Sequence, residues 1–380
     1  MSNERVIPVR FSDGSGYEIC VGKGSMATLG KKLGEIKDFN KAVVISDENV
    51  GPTYAKLVKR RLEEAGYEVY DLLIPPGEES KEIGMATEIW EMLAQYGFCR
   101  NDLVVACGGG VVGDLAGFCA ATYMRGIDFA QVPTTLLAMV DASIGGKTAV
   151  DLPCGKNLVG AFHQPIYICS DIRTLKTLEE EDWANGFAEI VKSSVVASRR
   201  SFYEWLRDNA DGLMAHDDAL LEEVVATTAE FKASVVAKDA HESGLRECLN
   251  YGHTLAHAIE TAAGYGTIGH GRAVAEGMRF AARLATEVTG ASIDFVKKQD
   301  ALLDKMGLQQ LPWTADPERL LKIMKGDKKN RGGDVRFVLA SDFTEWEVTP
   351  VPEDILVKHL NAWCAGKQKL IDQAASALSS

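Results

Sequence analysis

The stretch 105–164 reads VACGGGVVGDLAGFCAATYMRGIDFAQVPTTLLAMVDASIGGKTAVDLPCGKNLVGAFHQ. It opens as a hydrophobic strand, breaks on Gly108, Gly109 and Gly110, and turns into a helix with Asp114 in its first turns. It then returns to a strand that stops at Pro133-Thr134-Thr135. Three consecutive glycines let backbone amides approach a pyrophosphate, and the helix start behind them supplies partial positive charge. A coiled turn without a ligand also tolerates three glycines, so the loop gains meaning only from its surroundings.

Upstream, the pattern repeats strand, helix, strand. Residues 6–11 and 17–21 read as a hairpin, 41–46 (KAVVIS) as a buried strand, and 53–66 as an amphipathic helix ending on glycine. Residues 69–74 form the next strand, 81–96 a helix, and 102–106 begin another strand. Hydrophobic strands alternating with helices of this length predict a mainly parallel, Rossmann-like sheet covered on both faces. Ligands of such a sheet sit outside the carboxyl ends of its strands, where Asp47, the segment 75–78 and the triple glycine fall. After a strand at 166–171, strand signals nearly vanish. Segments 178–196, 201–209, 219–237, 247–262, 273–288 and 293–306 all read as helices. A short hairpin at 335–339 and 346–350 follows, and the end from 367 onward continues a helix or frays. The expected organisation is an α/β domain over 1–175 and a mainly α-helical domain over 176–380.

Composition narrows the function. The 46% hydrophobic and 25% charged fractions are those of an ordinary globular protein, and the net charge of −13 argues against nucleic acid or an acidic membrane as partner. Eight scattered cysteines without a CxxC pair, and no apolar run approaching the length of a membrane span, fit a reduced compartment. The first residues, MSNERVIPVRF, lead into strand-like alternation rather than the apolar run of a secretory leader, so the expected location is the cytoplasm.

Two constellations carry chemistry. His253 and His257 lie four apart, hence on one helix face, and His270 follows in a glycine-flanked loop. Glu189 lies on an earlier helix. Histidine and carboxylate ligands suit zinc or another divalent first-row ion, but spacing does not select three ligands from these four residues. The second constellation is basic. Lys147 and Lys156-Asn157 follow glycines and are expected on loosened turns, and Arg125, Lys192, Lys232, Arg246, Lys328 and Lys329 are further candidates. Lys192 shares a helix face with Glu189, and Arg246 precedes Asn250 by four residues. Such a set suits a substrate with more than one negative group, arginine for a planar carboxylate and lysine for phosphate.

Several long blocks, in order, carry a resemblance. They are PGEESK (76–81), the glycine-loop block 108–126, the block 131–165, AEIVK (188–192), SGLRECLNYGHTLAHAIE (243–260), HGRAVAEGM (270–278) and GDKKNRGG (326–333). In these the chain resembles the 3-dehydroquinate synthase family. That family belongs to the sugar-phosphate cyclases, which share a fold with iron-dependent alcohol and glycerol dehydrogenases. The resemblance implies a zinc ion, with cobalt as a substitute, held by Glu189, His253 and His270, and places His257 against substrate. It implies NAD contacts from Asp47, Glu78, Lys81, Gly109, Gly110, Asp114, Thr134, Thr135, Asp141 and Lys156. Lys232 and Arg246 would then face the substrate carboxylate, and Lys147, Asn157, Asn250 and Lys328 or Lys329 its phosphate. Arg125 would reach the neighbouring subunit's site, which implies a homodimer.

The implied reaction turns 3-deoxy-D-arabino-heptulosonate 7-phosphate into 3-dehydroquinate and phosphate. Transient oxidation by NAD acidifies a carbon-bound hydrogen, phosphate leaves, hydride returns, and an intramolecular aldol addition closes the ring. Net redox is zero, which makes the class a lyase. Ala240 departs from the family's acidic pair, and Glu242 keeps the second position. The rival readings are a cyclase acting on a sugar phosphate such as sedoheptulose 7-phosphate, and a net polyol or glycerol-phosphate dehydrogenase.

Overall fold

The computed structural model describes residues 4–326 and 334–378. In chain order the elements begin β1 (Arg5–Arg10), β2 (Gly16–Val21), α1 (Leu29–Ile36), β3 (Lys41–Asp47), α2 (Lys56–Glu64), β4 (Glu68–Ile74), α3 (Ile83–Gln95), β5 (Leu103–Gly108), α4 (Gly110–Thr122) and β6 (Asp128–Pro133). Next come β7 (Lys147–Leu152), β8 (Gly155–Phe162), β9 (Tyr167–Ser170), α5 (Glu180–Val196), α6 (Arg200–Met214) and α7 (Asp218–Lys238). The remainder is α8 (His253–Ala263), α9 (His270–Val288), α10 (Ile293–Lys305), α11 (Pro317–Lys325), β10 (Arg336–Asp342), β11 (Glu345–Pro350) and α12 (Glu353–Leu378).

One compact unit comprises Met1–Gly186 with Asp218–His241. Its seven-stranded sheet runs β1-β2-β9-β6-β5-β3-β4, antiparallel only at the β1–β2 hairpin. Side chains alternate across the sheet as a two-residue period requires. Ala42 and Val44 of β3 join a core with Leu29 and Leu33 of α1 and Val58 and Leu62 of α2. Val43 and Ile45 join the opposite core with Ile89 and Leu93 of α3 and Leu115 and Cys119 of α4. Burial on both faces explains the continuous apolar runs read as parallel strands. From β3 the chain moves outward to β4 and then returns to β5 on the other side, which puts the switch point between β3 and β5. Asp47 and the triple glycine lie at its carboxyl end.

Two elements of this unit differ from expectation. Lys147 and Lys156-Asn157 sit on strands of an antiparallel hairpin, β7–β8, rather than on loosened turns. Glycines there bring strands together: a Cβ on Gly160 would run into the Thr148 carbonyl oxygen. The helix α7, grouped by sequence with the helical domain, belongs to this unit, where Glu223 pairs with Arg5 at 2.6 Å and Asp218 with Lys23 at 2.5 Å. The compact units therefore do not coincide with a single division at residue 175.

The other unit comprises Phe187–Asp217 with Glu242–Ser380. It is helical apart from the antiparallel β10–β11 hairpin. α9 forms its centre, with Ala273–Ala282 buried throughout. The helix expected over 247–262 is broken. Arg246 and Asn250 lie on a tight 3₁₀ turn, Leu245–Asn250, and α8 starts only at His253 after Gly252 in the left-handed region at φ 81°. A Cβ on Gly277 of α9 would strike the Gly252 carbonyl oxygen, so two glycines let this turn lie directly against α9.

Candidate metal centre and anion-binding groups

In the helical unit, Glu189 from α5, His253 from the first residue of α8 and His270 from the first residue of α9 converge. One ligand atom from each lies within 4.8 Å of the others. His253 Nε2 and His270 Nε2 are each 3.6 Å from Glu189 Oε1. Glu189 is 1% exposed, and its Oε1 accepts no hydrogen bond among the described residues. A buried carboxylate oxygen left so, facing two imidazole nitrogens, fits a divalent cation better than a packed core. Burial works against a charged His270, yet Glu189 and Glu260 outweigh it and push the imidazole pKa up to about 10. The local field thus favours positive charge at this point. Lys192, one turn along α5 and equally buried, forms an ion pair with the other oxygen of Glu189. His257 sits on the next turn of α8 with its ring 5.5 Å from that of His253, outside the three-residue group.

The outer contacts escaped the sequence reading. His270 Nδ1 lies 3.0 Å from Glu260 Oε1, and His253 Nδ1 lies 3.1 Å from the Tyr251 carbonyl oxygen. A signal for Glu260 existed, because it follows His253 by seven residues and so lies on the same face of α8. No sequence signal marks a backbone carbonyl. On the 3₁₀ turn, Arg246 is 1% exposed, and Asn250 donates to Glu242 Oε1 at 2.9 Å. Glu242 keeps a partner beside Ala240, with its own backbone at φ 57°.

In the α/β unit, several expected nucleotide and phosphate groups form one cluster. The Lys81 ammonium, almost fully buried, lies 2.7 Å from Asp114 and 3.7 Å from Glu78. It also donates to Asn157 Oδ1. Lys156 pairs with Glu78 at 3.3 Å, and Asp151 accepts from the Asn157 backbone at 2.7 Å. Burial pulls the Lys81 pKa down, but Asp114 and Glu78 outweigh it and hold it above the ordinary value. Burial raises Asp114 despite Lys81 beside it. Asp151 joins the cluster without having been singled out by sequence.

The triple glycine ends β5 and opens α4, with the Thr134 amide donating to the Gly108 carbonyl at 2.9 Å. Thr134 Oγ1 is buried and makes no hydrogen bond among the described residues. Thr135 Oγ1 accepts from the Ala138 amide at 3.1 Å. Asp47 Oδ1 accepts from the amides of Asn49 and Val50, so part of its work is to hold its own turn. Lys232 Nζ reaches Asp141 Oδ1 at 2.6 Å and the Asp141 carbonyl at 2.7 Å. Lys147 is exposed at the start of β7, and Arg125 is exposed on a turn where it and Met124 are left-handed. Lys328 and Lys329 lie outside the described residues.

The model of the 3-dehydroquinate synthase N-terminal region matches residues 71–185, and that of the C-terminal region matches residues 186–330. The chain belongs to the 3-dehydroquinate synthase family. It is 46% identical over 333 residues to the 3-dehydroquinate synthase of Pelobacter propionicus, covering 88% of this chain and 92% of that protein. Among solved structures, a 2-deoxy-scyllo-inosose synthase complexed with carbaglucose-6-phosphate, NAD+ and Co2+ matches with TM-score 0.84 and 28% identity, over 94% of this chain and all of that one. The 2-epi-5-epi-valiolone synthase of Streptomyces hygroscopicus, at 22% identity and TM-score 0.84, covers 93% of this chain and 97% of that one and shares the fold. Among the described residues, no helix is long and apolar enough to cross a membrane.

Proposed function

We propose that the chain is a cytoplasmic lyase of the 3-dehydroquinate synthase type, converting 3-deoxy-D-arabino-heptulosonate 7-phosphate to 3-dehydroquinate and phosphate. The observation that carries this reading is the convergence of Glu189, His253 and His270 in a chain matched by both family regions. In it, those three residues hold Zn2+ or Co2+, which when bound acts as a Lewis acid on substrate oxygen. NAD supplies the reversible hydride transfer. The glycine loop with Thr134, Thr135, Asp47, Asp114 and Asp141 orients the dinucleotide, together with Glu78, Lys81 and Lys156. Buried Arg246 and Lys232 take the carboxylate, and Lys147, Asn157, Asn250 and Lys328 or Lys329 the phosphate. His257 contacts substrate, and Lys192 sets the charge beside Glu189. The functional form is a homodimer in which Arg125 serves the neighbouring site.

The 28% identical inosose synthase favours a second reading, a cyclase for a sugar phosphate lacking the carboxylate. Buried Arg246, a planar donor suited to a carboxylate, supports the heptulosonate, since the rival sugar phosphate carries no carboxylate. Phosphate release measured side by side decides. The heptulosonate is expected to turn over with NADH never accumulating, and sedoheptulose 7-phosphate to turn over little. The opposite order would falsify the proposal, and NADH building up one for one with product points to a net dehydrogenase.

A further inference from the structure

We propose that Glu260 is a positioning residue of the metal centre, holding His270 through Nδ1 so that Nε2 is the atom offered to the ion. This rests on the reading of Glu189, His253 and His270 as ligands. An imidazole presents two nitrogens, and the one hydrogen-bonded to an acceptor carries the proton, leaving the other lone pair for a metal. Glu260 Oε1 is 3.0 Å from His270 Nδ1, while His270 Nε2 faces Glu189 at 3.6 Å. Glu260 is largely buried, with a side chain 14% exposed. It stands two turns along α8 from His253, so one helix presents a ligand and the carboxylate that orients another.

The second histidine is oriented differently. His253 Nδ1 meets the neutral Tyr251 carbonyl. The Tyr251 hydroxyl donates to Gln299 Oε1 at 2.6 Å, and Gln299 Nε2 donates to the Met278 carbonyl at 3.0 Å. Gly252 supplies the left-handed step that aims the carbonyl. Backbone thus sets one imidazole and a charged side chain the other. Glu260 is therefore a charged side-chain contact on His270 that substitution can remove.

Full-length protein carrying Glu260→Leu or Glu260→Gln tests this by Zn2+ affinity in competition with a chromophoric chelator. The ligand-field bands of the Co2+-loaded protein give a second readout, and NAD affinity is the control. Loss of an outer-sphere partner lowers metal affinity by about 10–100-fold, the fall expected for Glu260→Leu. Glu260→Gln keeps an acceptor but not the charge, so a smaller fall and shifted Co2+ bands are expected, with NAD affinity at the parent value. Parent-like Zn2+ affinity and Co2+ bands in Glu260→Gln overturn the proposal, and that variant decides alone should Glu260→Leu not fold. If the parent itself binds no divalent ion, the ligand assignment fails first. A parent that binds while both variants match it sinks only the role of Glu260.

Discussion

At the scale of single residues, the centre is a problem in compensating charge. Glu189 is buried between Lys192 and two imidazoles, and His270 is held between two carboxylates. Its pKa, pushed up to about 10 from an ordinary 6.5, makes the charged imidazole a stabilising element of the metal-free fold. Because the folded value lies above the unfolded one, that contribution is complete below about pH 6.5 and is lost as pH rises towards 10. A divalent ion competes for the same nitrogen, so its affinity rises through this window. Thermal midpoints of metal-free protein across pH 6–10 are expected to decline, and His270→Gln to flatten that decline; a flat parent profile rejects the account. His270→Ala is expected to abolish metal occupancy and turnover together while sparing NAD affinity, as read by metal analysis and dinucleotide titration. Full activity with normal zinc content removes His270 from the ligands.

Arg246 offers a separate test. Loss of hydrogen bonds from a charged donor costs about 1.5–3 kcal/mol, so Arg246→Ala is expected to raise the KM for the heptulosonate about tenfold to a hundredfold. NAD affinity stays unchanged, because the proposed partner is the carboxylate. Unaltered substrate affinity in a folded variant excludes the assignment.

At the scale of elements, the site depends on where helices start. α8 and α9 both begin on a histidine of the candidate metal centre, each preceded by a glycine. The apolar periodicity of 247–262 is continuous and predicts a helix straight through it. The break arises from packing: Gly252 turns left-handed where the chain meets α9, and Gly277 leaves room for its carbonyl. Gly277→Ala forces that carbonyl aside, and overpacking of this kind costs about 1–3 kcal/mol. Denaturant unfolding is expected to register the loss, and Zn2+ affinity to fall with it, since the displaced turn carries the Tyr251 contact to His253. A variant as stable as the parent and binding zinc equally contradicts the packing argument. The β7–β8 hairpin was missed for a related reason. Gly155 and Gly160 lower strand propensity locally, but at Gly160 the missing side chain permits the close strand approach.

At the scale of the whole molecule, ligand binding to the folded state raises stability by mass action. Zn2+ at a hundred times its dissociation constant adds about 2.7 kcal/mol, which shows as a rise in melting temperature that saturates with concentration. The same titration on His253→Ala is expected to leave the melting curve where it was. An identical rise in that variant places the ion elsewhere.

Read as a string, the chain already contained the α/β sheet, the glycine loop at its carboxyl edge and the short list that holds the candidate ligands. Those features are local: a two-residue or 3.6-residue period, a run of glycines, histidines one helical turn apart. Folding decided what local patterns do not encode. It brought Glu189 and His270 to His253 while leaving His257 on the next turn, carried α7 back to the sheet, and gathered Lys81, Asp114 and Asn157 around one buried ammonium. Each is a contact between residues distant along the chain, selected by burial and close packing, and spacing carries no record of such contacts.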